Sequence, residues 1–564
     1  MRFRNWEING FDRDTAVDFC HKGINPLISV FLASRGVSSV DDARAVLSDG
    51  NLMIYDPFLM TDMDKAVACI LAAIDRGDRI AVYGDYDVDG MTSCVILTTW
   101  LRSRGADYEI YIPSRMDEGY GLNMQAIDML KSRGVNLIIT VDCGITAIEE
   151  AEYARSLGLG LVITDHHECR ARLPTADAVL DPKRPDCGYP NKALAGVGVA
   201  FKLVCALDRE ATTDEMLLRF GDLVAVGTIA DVMPVTGENR ELIRRGLRNL
   251  NGNPRVGFLY LLRETYSMHK RVNSATVGFI LAPRLNAAGR MGRTELSVGL
   301  LLTEDSAEAE RLTAELSYLN SERRRLETEI FGEAVSMLPG ESPDGPIVLA
   351  KRGWYQGVTG IVAAKMAERY LVPAIIISID EDGVGRGSCR SIGGFGIYKA
   401  LHSCEDLLYN YGGHDMASGV TIAEGNIGQL AEHIRNCYRD SLADLPAQGL
   451  RIDFVVEKPE LLNIRNVEAL ESLEPFGNGN TPPLLCIQDA VLTMVSSIGS
   501  GKHTRLKIEK SGKSLDCIYF AMATEHLDVS EGMRVDIVFE PQINEFRGRS
   551  NVQLQVFDIK ENNG

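Results

Sequence analysis

Three short apolar runs in the first half of the chain end abruptly in acidic or imidazole side chains. Ile80-Ala81-Val82-Tyr83 leads into Gly84-Asp85-Tyr86-Asp87-Val88-Asp89-Gly90. Val135 to Val141 leads into Asp142-Cys143-Gly144, and Gly160 to Thr164 into Asp165-His166-His167. Runs of this length, bounded by turn-forming residues, predict buried strands. The segments between them, such as Ala147 to Leu157, are long enough for crossover helices. The pattern predicts parallel strands whose carboxyl ends face one crevice, where ligands bind in open α/β sheets. If the chain stays extended, strand periodicity sends Asp85, Asp87 and Asp89 to one face.

Crowded carboxylates repel one another unless a cation neutralises them. Carboxylates together with imidazole suit Mn or Mg better than a thiolate-preferring metal. Each cluster alone could be an acidic turn, a calcium loop, a helix cap or a core histidine; the three together favour one shared site. Asp222 to Asp231 reads as an apolar helix bounded by two aspartates. Asp222 is expected as its N-cap, and Asp231, at the far end, suits a fourth metal-ligand position.

Periodicity divides the rest of the chain. Residues 1–55 read as small helices, with Val40 to Leu47 an amphipathic example, and residues 56–303 alternate strand and helix as a doubly wound sheet does. Residues 304–338, rich in Glu, Leu, Arg and Ala, predict a long connecting helix. Pro339 to Pro346 is a loop that opens a second, smaller α/β unit over residues 339–449. In that unit a strand is expected over Ile347 to Ala350, a helix over Gly360 to Tyr370 and a strand over Ala374 to Ile379, with Leu445 to Gly449 closing it. Residues 450–564 show β-type alternation at Thr504 to Glu509, Leu515 to Phe520, Arg534 to Glu540 and Asn551 to Ile559, which suggests a small barrel of OB type over a β-sandwich.

Composition narrows the partners. The 564-residue chain is 45% hydrophobic and carries a formal net charge of -19. That charge disfavours non-specific attraction to nucleic acid or anionic membrane, so a nucleic-acid reading requires a local basic groove and bound metal. The 12 cysteines are scattered without zinc-ligand spacing, as in reduced cytosolic proteins. The N-terminus lacks an apolar signal core, and no run approaches a membrane span. A cytoplasmic protein, without a membrane and as a monomer, is the expectation.

Several Arg-bearing stretches have the makings of phosphate contacts. Pro283 to Arg290 sets Arg284, Asn286 and Arg290 among small residues that permit close backbone approach; guanidinium forks grip phosphate bidentately, though Arg-containing loops are also common on plain surfaces. Gly385 to Ser391, with Arg390 and Ser391, supplies the Gly, Ser and Arg of a backbone-lined phosphate pocket. Tyr411-Gly412-Gly413-His414 adds an imidazole among glycines. Toward the C-terminus Lys502, His503, Arg505, Lys507, Phe546, Arg547 and Arg549 mix basic and aromatic groups, as single-strand-binding surfaces do.

These motifs, in this order, resemble the DHH phosphoesterase superfamily and within it the RecJ single-stranded-DNA exonucleases. The carriers are Tyr83 to Gly90, Ile112 to Asn123, Val141 to Gly144, Asp165-His166-His167, Leu194 to Phe201, Ala230 to Pro234, Arg284 to Arg290, Gly412 to His414 and Glu474 to Asn480. The resemblance implies two divalent ions, Mn2+ or Mg2+, held by Asp85, Asp87, Asp89, Asp142, His166 and Asp231, with Asp142 bridging. It implies catalytic roles for Asp142, His166 and His167, the last beside the phosphate. It implies a DHH-associated domain whose Arg390, Ser391 and His414, with Arg284, Asn286 and Arg290, hold substrate phosphates, and a barrel that holds single-stranded DNA. The activity implied is 5′→3′ hydrolysis of single-stranded DNA to 5′-mononucleotides in repair and recombination, with single-strand-binding protein as a partner. The rivals are a DHH phosphodiesterase of short oligonucleotides or cyclic dinucleotides, and a catalytically inactive DNA-binding scaffold. Two positions depart from the pattern: Tyr355 stands where such chains commonly carry His, and Cys389 stands where they carry Gly and is expected to narrow the phosphate pocket.

Overall fold

The computed structural model describes residues 5–48, 53–115, 118–119, 121–265, 271–340, 343–443, 445, 449–546 and 548–562. The chain divides into two compact units, one of residues 52–446 and one built from 1–51 and 447–564.

In the larger unit the apolar runs form a five-stranded, all-parallel sheet. Its order across the sheet is Tyr108–Tyr111, Arg79–Gly84, Val135–Val141, Gly160–Thr164, Ala178–Leu180. Both faces are covered, which is why the strands read as nearly continuous hydrophobic runs. Ile80 and Val82 pack against helices Met63–Arg76, Val88–Ser103 and Gly196–Leu207, while Ala81 and Tyr83 pack against helices Met124–Ser132 and Ile148–Ser156. The second strand in sequence lies on one side of Arg79–Gly84 and the third on the other. The order therefore reverses between Arg79–Gly84 and Val135–Val141, and a crevice opens at their carboxyl ends. Asp85 and Asp142 are the residues that follow these two strands.

Helix Ser306–Ser336 is the expected long connector. It leads to a mixed five-stranded sheet of order Leu408–His414, Ala417–Ala423, Val384–Arg390, Ala374–Ile379, Ile347–Arg352. Only the last pair is parallel. The expected helix starts four residues earlier, at Gln356, and runs to Tyr370. Leu445 to Gly449 lies largely outside the described residues.

In the other unit, strands Leu485–Ile498, His503–Lys510, Lys513–Tyr519, Arg549–Glu561 and Arg534–Phe546 pair in sequence around a closed barrel. Three N-terminal helices, Arg13–His21, Pro26–Ser34 and Val40–Leu47, share one apolar cluster with it, in which Phe19, Leu27 and Phe31 join Phe454, Leu485 and Phe539. Strand Asn5–Ile8 pairs in parallel with Gly449–Ile452.

Candidate metal centre and its arginine wall

The local conformation around Asp85 differs from the extended run that alternation suggested. The strand stops at Gly84, and Asp87 becomes the N-cap of helix Val88–Ser103, its side chain accepting from Gly90 N at 3.0 Å. Asp89 then lies in the first helical turn, so the three aspartates share a site through a strand-to-helix turn. Close backbone approach makes this possible: a Cβ on Gly90 would lie 2.5 Å from the Asp85 carbonyl oxygen. The Asp89 carboxylate accepts from Gly196 N at 2.7 Å and Val197 N at 2.8 Å, at the N-terminus of helix Gly196–Leu207. Open N–H groups and the helix dipole both favour a carboxylate there.

Asp142 takes a left-handed backbone conformation, φ 60°, at the end of its strand. Asp165 ends the next strand and does not join the metal trios. Its carboxylate accepts from Ile145 N, His166 N and His167 N and contacts His167 Nδ1 at 2.7 Å. The Asp-His-His motif is thus an orienting acid followed by two imidazoles. Asp231 caps the carboxyl end of helix Thr213–Ala230. That helix begins well before Asp222, at Thr212, through a capping box with Glu215. Asp222 is therefore mid-helix rather than an N-cap, and its carboxylate binds Arg255 Nε at 2.9 Å.

His166 Nε2 lies 3.1 Å from Asp142 Oδ1, 3.6 Å from Asp231 Oδ2 and 3.8 Å from Asp89 Oδ2. Three overlapping trios offer ligand atoms mutually within 4.8 Å: Asp85, Asp87 and Asp142; Asp89, His166 and Asp231; Asp142, His166 and His167. Burial, reinforced by neighbouring aspartates, raises Asp85 and Asp142 well above the carboxylate range, Asp89 to about 7 and Asp231 to about 9. Burial, with His167 beside it, lowers His166 to about 3, so its ring is neutral and carries a lone pair at neutral pH. Burial opposes a charge on His167, but the hydrogen bond with Asp165 and that residue's charge prevail and raise it to about 9. Asp85 Oδ1, Asp231 Oδ2 and His166 Nε2 are buried without a hydrogen-bond partner. Buried polar atoms are normally satisfied. A set of oxygen and imidazole donors left this way fits divalent cations such as Mn2+ or Mg2+.

Above these groups is a cavity of about 270 Å³ whose lining includes Arg115, Asn286, Arg290 and Arg390 beside Asp85, Asp142 and Asp231. Pro283 to Arg290 is helical, within Ala282–Arg290, which continues without a break from Ser274–Thr276 through the π-turn Val277–Leu281; Pro283, which cannot donate, comes just after that π-turn. Asn286 Oδ1 accepts from Val88 N, which ties this helix to the aspartate-bearing one. Arg284 and Ser391 are not among the cavity-lining residues: Arg284 donates to Ile280 O and Ser391 to Phe395 O. His414 ends strand Leu408–His414, and burial followed by the Arg390 charge lowers its pKa. Gly385 to Arg390 is a strand, and its alternation turns Cys389 into the apolar cluster of Ile375, Ile377 and Val420. Cys389 therefore does not narrow the pocket. Two wall residues, Tyr86 and Arg115, were not singled out from sequence. The Arg115 guanidinium lies 4.9 Å from the centre of the Tyr86 ring, and its position inside the Ile112 to Asn123 motif was the available signal.

Three family models match this chain: the DHH family, N-terminal domain over residues 79–228, the DHHA1 domain over 344–440 and the RecJ OB domain over 452–558. The fold and site define a DHH-type phosphoesterase with an associated second domain and an OB barrel. The single-stranded-DNA-specific exonuclease RecJ of Bacillus subtilis is 40% identical over 560 residues, which cover 98% of this chain and 70% of that protein. RecJ of Salmonella typhimurium is 32% identical over 557 residues, covering 95% and 96%. The crystal structure of Thermus thermophilus RecJ in complex with Mn2+ superimposes with a TM-score of 0.83 at 29% identity, covering 99% of this chain and 80% of that one. The chain belongs to the RecJ family.

Proposed function

We propose that this protein is a single-stranded-DNA-specific 5′→3′ exonuclease that hydrolyses phosphodiester bonds to 5′-mononucleotides, in DNA repair and recombination. The observation that carries this reading is the convergence of three strand ends and one helix end on Asp142, under a wall of arginines. Asp85, Asp87, Asp89, Asp142, His166 and Asp231 would hold a pair of Mn2+ or Mg2+ ions, which would supply an acidified water and positive charge near the scissile phosphate. Asp142, which belongs to two of the trios, would contribute to both halves of the site. His166, neutral, gives its lone pair. His167, kept charged by Asp165, hydrogen-bonds a phosphate oxygen.

Arg115, Arg290 and Arg390 neutralise the phosphates, and Asn286 fixes the helix that carries Arg290. Arg284, Ser391 and His414 complete the substrate-binding set: the first two are held by local carbonyl contacts, and His414, its pKa lowered by burial and by Arg390, offers a neutral imidazole for a hydrogen bond. A cavity of about 270 Å³ is small against a base-paired end, which supports single-strand specificity. In the barrel, Lys502, His503, Arg505, Lys507 and Arg549 hold the single strand; Arg547 and the Phe546 side chain, expected in the same group, lie outside the described residues. The reading brings with it a cytoplasmic monomer working with single-strand-binding protein.

The test is Asp142→Ala with Mn2+ and a 5′-labelled oligonucleotide. Release of nucleotide is expected to fall at least about a thousandfold, equivalent to about 4 kcal/mol of barrier. Undiminished release removes the mechanism.

A further inference from the structure

Tyr355 is the unexplained departure in the sequence, and its hydroxyl has a specific partner. It donates to the main-chain carbonyl oxygen of Arg290 at 3.2 Å. Arg290 is the last residue of helix Ala282–Arg290, and Tyr355 is the N-cap residue of helix Gln356–Tyr370. The last carbonyls of a helix have no partner inside it, so the phenol fills a vacancy that the fold itself creates. The two helices also meet carboxyl end to amino end, an arrangement their dipoles favour.

The contact is reciprocal and tight. The Arg290 guanidinium donates through Nη1 to Gly357 O at 3.3 Å. A Cβ on Gly357 would collide with the Arg290 carbonyl oxygen, so only glycine lets the second helix come this close. Arg290 lines the cavity and is deeply buried, and burial together with Arg115, Arg323 and Arg390 lowers its pKa to about 10. A guanidinium crowded by other cations has reason to turn away unless something fixes it. Its backbone and its side chain are both held by the Tyr355–Gly357 turn.

We infer that Tyr355 is a positioning residue: its hydroxyl locks the second α/β domain to the carboxyl end of the Arg290 helix and so aims the Arg290 guanidinium at a substrate phosphate. This deepens the proposed function and rests on it. Tyr355 itself touches no substrate.

The test removes only the hydroxyl. Tyr355→Phe keeps ring shape and packing, so its melting temperature is expected to stay near that of the parent. KM for a single-stranded oligonucleotide is expected to rise about fivefold, the worth of one hydrogen bond of about 1 kcal/mol, with kcat within about twofold. In an Arg290→Ala background the same change is expected to add nothing, because the group it aims is gone. Gly357→Ala, which drives the helices apart, is expected to raise KM further. A readout independent of turnover is fluorescence anisotropy of a labelled single strand on the cleavage-deficient Asp142→Ala protein, where adding Tyr355→Phe weakens binding by a similar factor. Unchanged KM and binding, or equal losses with and without Arg290, overturn the inference. If the parent protein hydrolyses no DNA, it is the functional reading that fails, and the anisotropy comparison still decides whether the latch works.

Discussion

The side chain of Asp142 rests directly on Gly196: a Cβ on that glycine would lie 2.6 Å from the Cβ of the aspartate and 2.7 Å from its Oδ1. The same glycine donates its N–H to Asp89. One residue without a side chain thus seats two candidate ligands. Gly196→Ala improves intrinsic helix propensity by up to about 1 kcal/mol, so any loss comes from the site. Mn2+ affinity is expected to fall more than about tenfold and hydrolysis about a hundredfold, the scale of disturbed ligand support. Calorimetric Mn2+ titration checks the first and nucleotide release the second. Parent-like affinity would show that Asp142 does not hold the ion.

Asp165 tests the division of labour inside the Asp-His-His motif. Its carboxylate collects three backbone N–H groups and the His167 ring, while His166 Nε2 is left for the cluster. Asp165→Asn keeps the shape and removes the charge. Activity is expected to drop about 10- to 100-fold, while bound Mn2+ per chain stays as in the parent. Loss of the metal itself would move Asp165 into the ligand set.

Metal removal has a pH signature whose sign follows from the carboxylates. Asp89, near 7, and Asp231, near 9, are raised by burial and by neighbouring aspartates, against a usual value of 3.8. With folded values above unfolded ones, the metal-free folded protein binds more protons than the unfolded chain between about pH 4 and 9, and stability falls as pH rises through that window. Divalent ions replace those protons, so the benefit of Mn2+ grows with pH. The melting temperature in EDTA is expected to decline from pH 5.5 to 8.5, and the gain on adding Mn2+ to widen by several degrees. A gain that narrows with pH would contradict the repulsion on which the site reading depends.

The mid-helix place of Asp222 has its own consequence. The Asp222–Arg255 pair is largely buried, and Arg255 also reaches the carbonyls of Leu301 and Arg219. Asp222→Ala leaves that guanidinium uncompensated and is expected to cost about 3 kcal/mol of stability. Nucleotide release per folded molecule should be unchanged, which urea denaturation and specific activity together measure. An N-cap loss would cost only about 1 kcal/mol.

Strands Val135–Val141 and Gly160–Thr164 were legible because burial on both faces leaves nearly continuous apolar runs, and the acids at their ends mark the crevice. The turn at Asp87 was not, because Val88–Ser103 is buried all round and shows no helical stripe to announce its start. Asp222 misled for a related reason: apolarity begins there, yet the helix begins at the Thr212–Glu215 box. The smallness of Ala287, Ala288 and Gly289 serves close packing, for Gly289 lies against the Tyr86 carbonyl. Cys389 follows from period two once Gly385 to Arg390 is known to be a strand. What no local pattern carries is the meeting of Tyr355 with Arg290, 65 positions apart.

The barrel unit yields the last prediction. Arg35 Nε and Nη2 grip both oxygens of Asp453 at 2.8 and 3.1 Å, and the same guanidinium donates to Thr481 O and Pro482 O. Its plane also lies 4.1 Å from the centre of the Phe31 ring. The fork thus ties helix Pro26–Ser34 to the strand that enters the barrel, and Phe31 and Leu27 complete the apolar cluster there. A bidentate, half-buried pair of this kind exceeds an exposed ion pair in worth. Arg35→Lys keeps the charge but cannot make the fork, and it is expected to destabilise the unit by about 1–2 kcal/mol. Arg35→Ala also leaves Asp453 buried without its partner and should cost about 3 kcal/mol or more. Hydrogen exchange resolves the effect by segment. Faster exchange is expected in residues 13–34 and in Leu485–Ile498 alike, because they share one core, whereas Val135–Val141 in the other unit should keep its protection. Loss confined to the N-terminal helices would mean that they sit on the barrel without supporting it.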